Sequence, residues 1–258
     1  MQIYVCVKHV PDSAANIAIV DGCRIDENIA FLLNPFDEHA VTQAALLKSQ
    51  YPDSEIITVC LGRPDAEKTL RSAMAMGADR SILIRTEAPC DPQTTARALK
   101  AAILADGSPD LILMGKESID GEGMQTMFRL GVLMDMPAAV NVVELEPDPD
   151  GGTARAVYEL AGGARQTCEM TLPCIAAAGR GLNTPIYPTF PQVVKSRKKP
   201  VEVVELDGLE LEAPGRSSTS IVALEPLAQD RSPQPLTGEP SQIADRIVTI
   251  LKEEAKVL

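Results

Sequence analysis

Tryptophan is absent from this chain of 258 residues, and aromatic residues together make up only 3% of it. Single-stranded nucleic acids are held on aromatic faces, so a stacking platform is not expected. Basic residues are outnumbered, 24 Lys and Arg against 36 Asp and Glu, which leaves a net charge of −12. Neutralising a phosphate backbone needs a basic face, so no nucleic-acid partner is expected. Six cysteines stand at positions 6, 23, 60, 90, 168 and 174, with no CxxC pair and no neighbouring His pair. A disulfide framework or a zinc site wants closer, patterned spacing, so the thiols read as mostly buried and no metal site is assigned. With 2 histidines and no serine elbow, the chain cannot assemble nucleophile, base and orienting acid, so no catalytic residue is assigned either. No apolar run reaches the roughly 18 residues of a membrane span. The N-terminus opens directly on the strand-like run from Gln2 to Val7, without a signal peptide, so a cytoplasmic location is expected.

What the chain does have is 45% apolar content, enough for one large α/β domain or a domain with an appended arm. Its organising stretch is the segment Gly115-Lys116-Glu117-Ser118-Ile119-Asp120-Gly121-Glu122-Gly123-Met124-Gln125-Thr126. The apolar run from Leu111 to Met114 before it reads as a buried strand, and Met127 to Met134 after it as a helix. A strand that passes through a glycine-containing loop into a helix presents unpaired backbone N–H groups, which makes an anion site. Glycines at 115, 121 and 123 predict close approach and positive φ, and Asp120, Gln125 and Thr126 add hydrogen-bonding groups. A βα loop without a ligand fits the same residues, because the stretch matches neither a P-loop nor GxGxxG.

Strands are expected at Ile3 to Val7, Glu55 to Leu61, Ser81 to Ile84 and Leu111 to Met114. Helices fall between them at Asp37 to Ser49, from Pro64 to a stop at Gly77, and from Asp91-Pro92 to about Ala105. That alternation predicts a parallel sheet with right-handed crossovers. Ligands on such sheets sit at the carboxyl ends of the strands, so the loops after Cys6, Leu61 and Met114 should open on one edge together with Asn34. Asp21-Gly22 suits a two-residue hairpin turn. The segments 139–145, 153–160 and 165–171 read as an antiparallel extension. Residues 184–191 are too proline-rich for regular structure and are expected to leave the globule, followed by the basic run Lys195-Ser196-Arg197-Lys198-Lys199. Residues 201–206 suit one more strand, 207–240 read as irregular, and Pro240 to Ala255 as a closing helix with Ser241 as N-cap and Ile243, Ile247, Ile250 and Leu251 on one face. Three parts are expected: a nucleotide-binding domain (1–183), a recognition loop with the basic run (184–200), and a C-terminal arm with the terminal helix (201–258). An arm of this kind suits embracing a partner.

Taken together, Val7-Lys8-His9-Val10-Pro11-Asp12, Leu33-Asn34-Pro35-Phe36-Asp37-Glu38-His39-Ala40-Val41, Ala73-Met74-Ala75-Met76-Gly77-Ala78-Asp79-Arg80, the Gly115 to Gln125 stretch and Leu172-Pro173 with the Tyr187 to Pro200 segment closely resemble the β subunit of electron-transfer flavoproteins. The likeness runs in family order from about residue 3 to residue 204. It implies a Rossmann-like, adenine-nucleotide-binding α/β domain with a small antiparallel extension and a partner-embracing arm. It further implies a non-enzymatic electron carrier, paired with an α subunit that holds the redox-active FAD. Electrons would come from acyl-CoA or related dehydrogenases and pass to a membrane quinone oxidoreductase.

By position, the likeness places AMP against Cys6, Asn34, Pro35, Phe36, Asp37, Leu61 and Gly115 to Thr126. It places Ser13 and Phe36 near the partner's flavin. It places dehydrogenase docking on Ile186, Tyr187, Pro188, Thr189, Phe190, Pro191, Gln192, Val193, Val194 and Lys195, with Phe190 as the apolar anchor. Phe36 equally suits a core position, Phe190 could fold back on its own domain, and Lys8 and His9 could reach a phosphate or flavin or only solvate their loop. AMP-binding relatives usually carry Asn-Gln-Thr-Gly at 124–127 and bifurcating ones Thr-Ala-Gln-Val-Gly-Pro at 123–128. Gln125 and Thr126 favour AMP, and Met127 and Phe128 are expected to crowd the second half of an FAD. Tyr158 and Ala161 stand where the family carries Arg and Asp, with Glu159 kept between them. The alternatives are a flavin-bifurcating subunit that binds a second FAD and oxidises NADH, and, from another class, a universal-stress-type nucleotide-binding regulator.

Overall fold

The computed structural model describes residues 1–211, 217–226 and 233–257. Two compact units are present, Met1–Ala223 and Leu224–Leu258. The first begins with β1 (Gln2–Cys6), whose run of apolar residues is buried on both faces as a central parallel strand should be. Short pieces follow: β2 (His9–Pro11), β3 (Ile19–Val20), β4 (Arg24–Ile25) and β5 (Phe31–Leu33). β3 pairs Ile19 with Ile25 and Val20 with Arg24, so the hairpin loop holds Asp21, Gly22 and Cys23. This corrects the two-residue turn: Asp21 and Gly22 do take positive φ, 52° and 68°, but Cys23 extends the loop.

The alternation then runs as the hydrophobic pattern indicated. It comprises α1 (Pro35–Gln50), β6 (Glu55–Gly62), α2 (Glu67–Met76), β7 (Arg80–Arg85), α3 (Pro92–Asp106), β8 (Leu111–Gly115) and α4 (Gln125–Met134). Pro35 occupies the first turn of α1, where its missing N–H costs nothing. Asp91 caps α3 by accepting from Thr94 N at 2.8 Å. Gly77, at φ 143°, ends α2. β9 (Ala138–Asp148), β10 (Thr153–Glu159) and β11 (Arg165–Thr171) form the antiparallel extension, and β12 (Cys174–Ala178) returns to the parallel part.

All of these except β2 to β5 join β13 (Val201–Glu205) in one nine-stranded sheet of order β11-β10-β9-β12-β8-β1-β6-β7-β13. Pairing is parallel from β9 through β13 and antiparallel at β9-β10 and β10-β11. One face is covered by α1 and α2 through Ala40, Val41, Ala44, Leu47, Leu70, Ala73 and Met74. The other is covered by α3 and α4 through Ala96, Leu99, Ile103, Met127 and Leu130.

Residues 184–191 do not leave the globule. Ile186 N donates to Thr42 Oγ1 at 3.0 Å and Asn183 Nδ2 donates to the His39 carbonyl at 3.0 Å, which lay the segment along α1. It ends in a short helix, α5 (Phe190–Ser196), started by Thr189, whose N–H donates to Gln192 Oε1 at 2.6 Å. Composition hides this helix, because Pro188 and Pro191 read as breakers, whereas Pro191 sits in the first turn. Arg71 clamps its far end, donating from Nη1 to the carbonyls of Ser196 at 2.9 Å and Lys199 at 2.6 Å. Lys199 Nζ in turn donates to Met74 O at 3.0 Å and Ala78 O at 2.5 Å, neutralising the C-terminus of α2.

Irregular backbone follows β13 apart from one short helical turn at Leu206–Gly208, as expected, where it is described. The remaining parts of the 207–240 stretch, 212–216 and 227–232, lie outside the described residues. In the second unit, α6 (Pro240–Thr249) continues as a π-helical turn over Ile250–Glu254. Its N-cap is Glu239 rather than Ser241, because Pro240 already takes the first helical position and Glu239 N donates to Gln242 Oε1 at 3.2 Å.

Candidate functional site

From β1 the chain moves outward to β6 and β7, then returns to the other side of β1 to form β8. The strand order therefore reverses between β1 and β8, and their carboxyl ends diverge into two loops with a crevice between them. The loop after β1 starts at Val7-Lys8, and the loop after β8 is the stretch from Gly115.

Asp37 staples these loops to the start of α1. Its Oδ2 accepts from Lys8 N at 2.7 Å and its Oδ1 from Gly115 N at 2.9 Å. The sequence marks Asp37 only as an acid suited to a helix first turn, yet it is buried. Burial pushes its carboxyl up to about 7, against the two N–H donors, the Asn34 side chain and the Lys8 charge, which pull the other way. Gly115 fits because a Cβ there would stand 2.4 Å from Asp37 Oδ1 and 2.6 Å from Phe36 Cβ.

Asn34, also buried, reads the loop with both ends of its amide: Nδ2 donates to Glu117 O at 2.9 Å and Oδ1 accepts from Ile119 N at 3.2 Å. Lys8 crosses the crevice mouth, its Nζ donating to Ser118 Oγ at 3.3 Å and Asp120 Oδ1 at 2.8 Å. Asn34, Pro35, Phe36, Asp37 and Gly115 to Ile119 are thus brought together with Lys8.

Beyond Asp120 the loop is exposed as far as Gln125. Its glycines do not take positive φ; Glu122 and Met124 do, at 47° and 51°. Met124 is the left-handed N-cap of α4 and supplies no side-chain hydrogen bond, so the first-turn N–H groups of that helix remain open to an anion. Gln125 Oε1 accepts from Arg129 Nη2 at 2.7 Å. Met127 does not crowd the loop: it is 2% exposed in the core under α4, while Phe128 is 48% exposed on the outside.

The other predicted positions, and Phe36 beyond its place in this group, have surroundings of their own, although Cys6 ends β1 near Asp37. Cys6 is buried in the sheet, with its thiol raised by burial, and Leu61 packs against the α3–α4 side of the core. Ser13 is exposed in a turn that Asp12 holds through Ala14 N at 2.9 Å. Phe36 is 6% exposed, and its ring lies 5.2 Å from Lys116 Nζ and 5.2 Å from Arg180 Cζ. His9 turns to α2, its Nδ1 2.7 Å from Thr69 Oγ1 and its ring stacked on Phe31, which leaves only Lys8 at the crevice.

Phe190 does not fold back: it is 80% exposed, with Tyr187 at 87% and Val194 at 41%. Phe190 and Val194 share one face of α5, while Val193 is half-buried. Sequence reasoning missed Arg180 and Arg71; the one signal for Arg180 was its place between Gly179 and Gly181.

No helix among the described residues is long and apolar enough to cross a membrane. Comparison with known proteins gives one family model, the electron transfer flavoprotein domain, over residues 23–209. The chain is 35% identical to the electron transfer flavoprotein subunit beta of Bacillus subtilis over 100% of both chains. It is 31% identical to the mitochondrial beta subunit of Arabidopsis thaliana, again over 100% of both, and 30% identical to that of Bos taurus over 100% of this chain and 99% of the relative. With the family model over most of its length and full-length relatives on either side, the chain belongs to the electron transfer flavoprotein family, as a beta subunit.

Proposed function

We propose that this beta subunit holds AMP as a structural nucleotide in the crevice between β1 and β8, pairs with a flavin-bearing alpha subunit, and docks electron-donating dehydrogenases through α5. Family membership sets aside the universal-stress-type regulator. The observation that carries the reading is the stapled crevice, where Asp37, Asn34 and Lys8 fix the loop from Gly115 so that the uncapped N-terminus of α4 faces outward. An adenylate fits this arrangement: its phosphate would meet the first-turn N–H groups of α4, beside the backbone of Gly121 to Met124. The partner's FAD supplies the electron storage. In this reading the chain's residues bind the nucleotide and hold its loop, and Cys6 and Cys60 are buried thiols, the latter pushed up to about 12.

The exposed Tyr187, Phe190 and Val194 supply an apolar anchor for a dehydrogenase of the acyl-CoA type, and burying Phe190 in a partner groove would contribute on the order of 2 kcal/mol. Phe190→Ala is expected to raise the saturation constant for such a donor about tenfold or more while leaving heterodimer assembly intact; unchanged transfer from every candidate donor would remove the role from α5. A membrane quinone reductase is the acceptor in this reading, and the location is the cytoplasm.

A second reading is supported by Met127, whose burial removes part of the crowding expected to exclude a larger nucleotide. In it the same crevice holds a second FAD, and the heterodimer oxidises NADH. Extraction and counting of nucleotides from the purified heterodimer separates the two. One FAD with one AMP supports the first reading; two FAD without AMP replaces it by the second.

A further inference from the structure

Arg180 follows β12 at the carboxyl edge of the sheet, and its backbone is fixed from both sides. A Cβ on Gly179 would stand 2.6 Å from Asn141 Oδ1, and one on Gly181 would stand 2.9 Å from Val143 Cγ1. Both glycines are therefore pressed against β9, and Gly179 N donates to Val142 O at 2.9 Å. From this fixed turn the guanidinium lies 5.2 Å from the centroid of Phe36, within reach of a cation–π attraction. Lys116 Nζ lies at the same distance from the ring and 3.2 Å from Glu117 Oε1. Arg180 is exposed and has no ion pair or hydrogen bond among the described residues. On a chain of net charge −12, an arginine that is held in place yet left without an acid is unusual. Of the other exposed arginines among the described residues, 24, 85, 155, 165 and 246 have carboxylate partners, and Arg197 at the end of α5 is the one other without.

The planar fork of a guanidinium matches a carboxylate in two parallel hydrogen bonds, and stacking on a ring leaves that fork free. On a chain of net charge −12, a fixed cation offers a partner's carboxylate a defined point of attraction. A fixed cation therefore sets register as well as attraction.

We infer that Arg180, braced on Phe36, is a docking residue for a carboxylate on the surface of the flavin-bearing alpha subunit. Phe36 then acts behind the interface, as the support that aims Arg180. The inference rests on the heterodimer of the proposed function and is tested separately from it. Full-length wild type, Arg180→Gln, Arg180→Lys and Phe36→Leu are each titrated with the alpha subunit, with and without its FAD, at low and raised salt. Arg180→Gln is expected to weaken the heterodimer about tenfold or more and to flatten its salt dependence. Arg180→Lys should fall between it and wild type, and Phe36→Leu should weaken binding with the salt dependence kept.

Equal affinity and equal salt dependence for wild type and Arg180→Gln would overturn the inference. So would weakening seen only when the alpha subunit carries FAD, since the anion would then be the flavin's. Weakened binding by Arg180→Gln with the wild-type salt dependence kept would make Arg180 an internal brace and overturn it equally. Absence of any wild-type heterodimer would instead remove the proposed function.

Discussion

At the scale of single residues, the site is organised by groups whose partners lie far away in sequence. Asp37 receives N–H groups from positions 8 and 115, and no local pattern reveals that. Its raised pKa has a definite consequence for stability. A carboxyl whose folded pKa lies above its unfolded value favours the protonated form on folding. Its contribution is present below about 4, the unfolded value, and is lost as pH rises toward about 7. The stability difference between wild type and Asp37→Asn should therefore shrink across that window, measured by denaturant unfolding at several pH values. A difference that grows with pH would mean that the carboxylate is stabilised by charge rather than penalised by burial. Asn34 and the Gly115 loop were legible as a group because the alternation of strands and helices placed their ends on one edge. What was not legible was which backbone conformations would carry the loop. Glu122 and Met124, not the glycines, take the left-handed region, and neither side chain advertises it.

At the scale of elements, the parallel strands, their helices and the antiparallel extension could be read from periodicity, since each is long enough for its burial pattern to show. α5 could not. Its seven residues contain a proline and follow a proline-rich run, and it is stable only because tertiary contacts complete it. Arg71 supplies the main clamp, holding the carbonyls of Ser196 and Lys199 while paired with Glu67 at 2.8 Å. Arg71→Ala should release this end at a cost of about 1–3 kcal/mol. The readout is hydrogen exchange: faster exchange at about residues 193–199 with the central strands unchanged. Uniform acceleration across the sheet would show that the clamp supports the whole unit rather than α5. The same contact explains why the basic run divides in function. Lys199 is withdrawn to the end of α2, leaving Lys195, Arg197 and Lys198 exposed beside the apolar face.

At the scale of the whole molecule, the crevice and α5 occupy separate places on one sheet, with Arg180 beside the crevice through Phe36. The crevice lies where the strand order reverses, Arg180 lies on the far side of β8 from β1, and α5 packs on α2 beyond α1. A nucleotide that binds the folded form alone stabilises it by mass action, by about 2.7 kcal/mol at a hundred times its dissociation constant. For a unit of this size that corresponds to a rise of about 5–10 °C in thermal midpoint. Heterodimer stripped of adenylate should show that rise with AMP and a smaller one with adenosine, because only the phosphate can use the open N–H groups at the start of α4. Phe190→Ala should respond to AMP as wild type does, since α5 shares no residue with the crevice. Equal shifts from AMP and adenosine would move the phosphate away from α4, and the uncapped turn at Met124 would then need another anion to account for it.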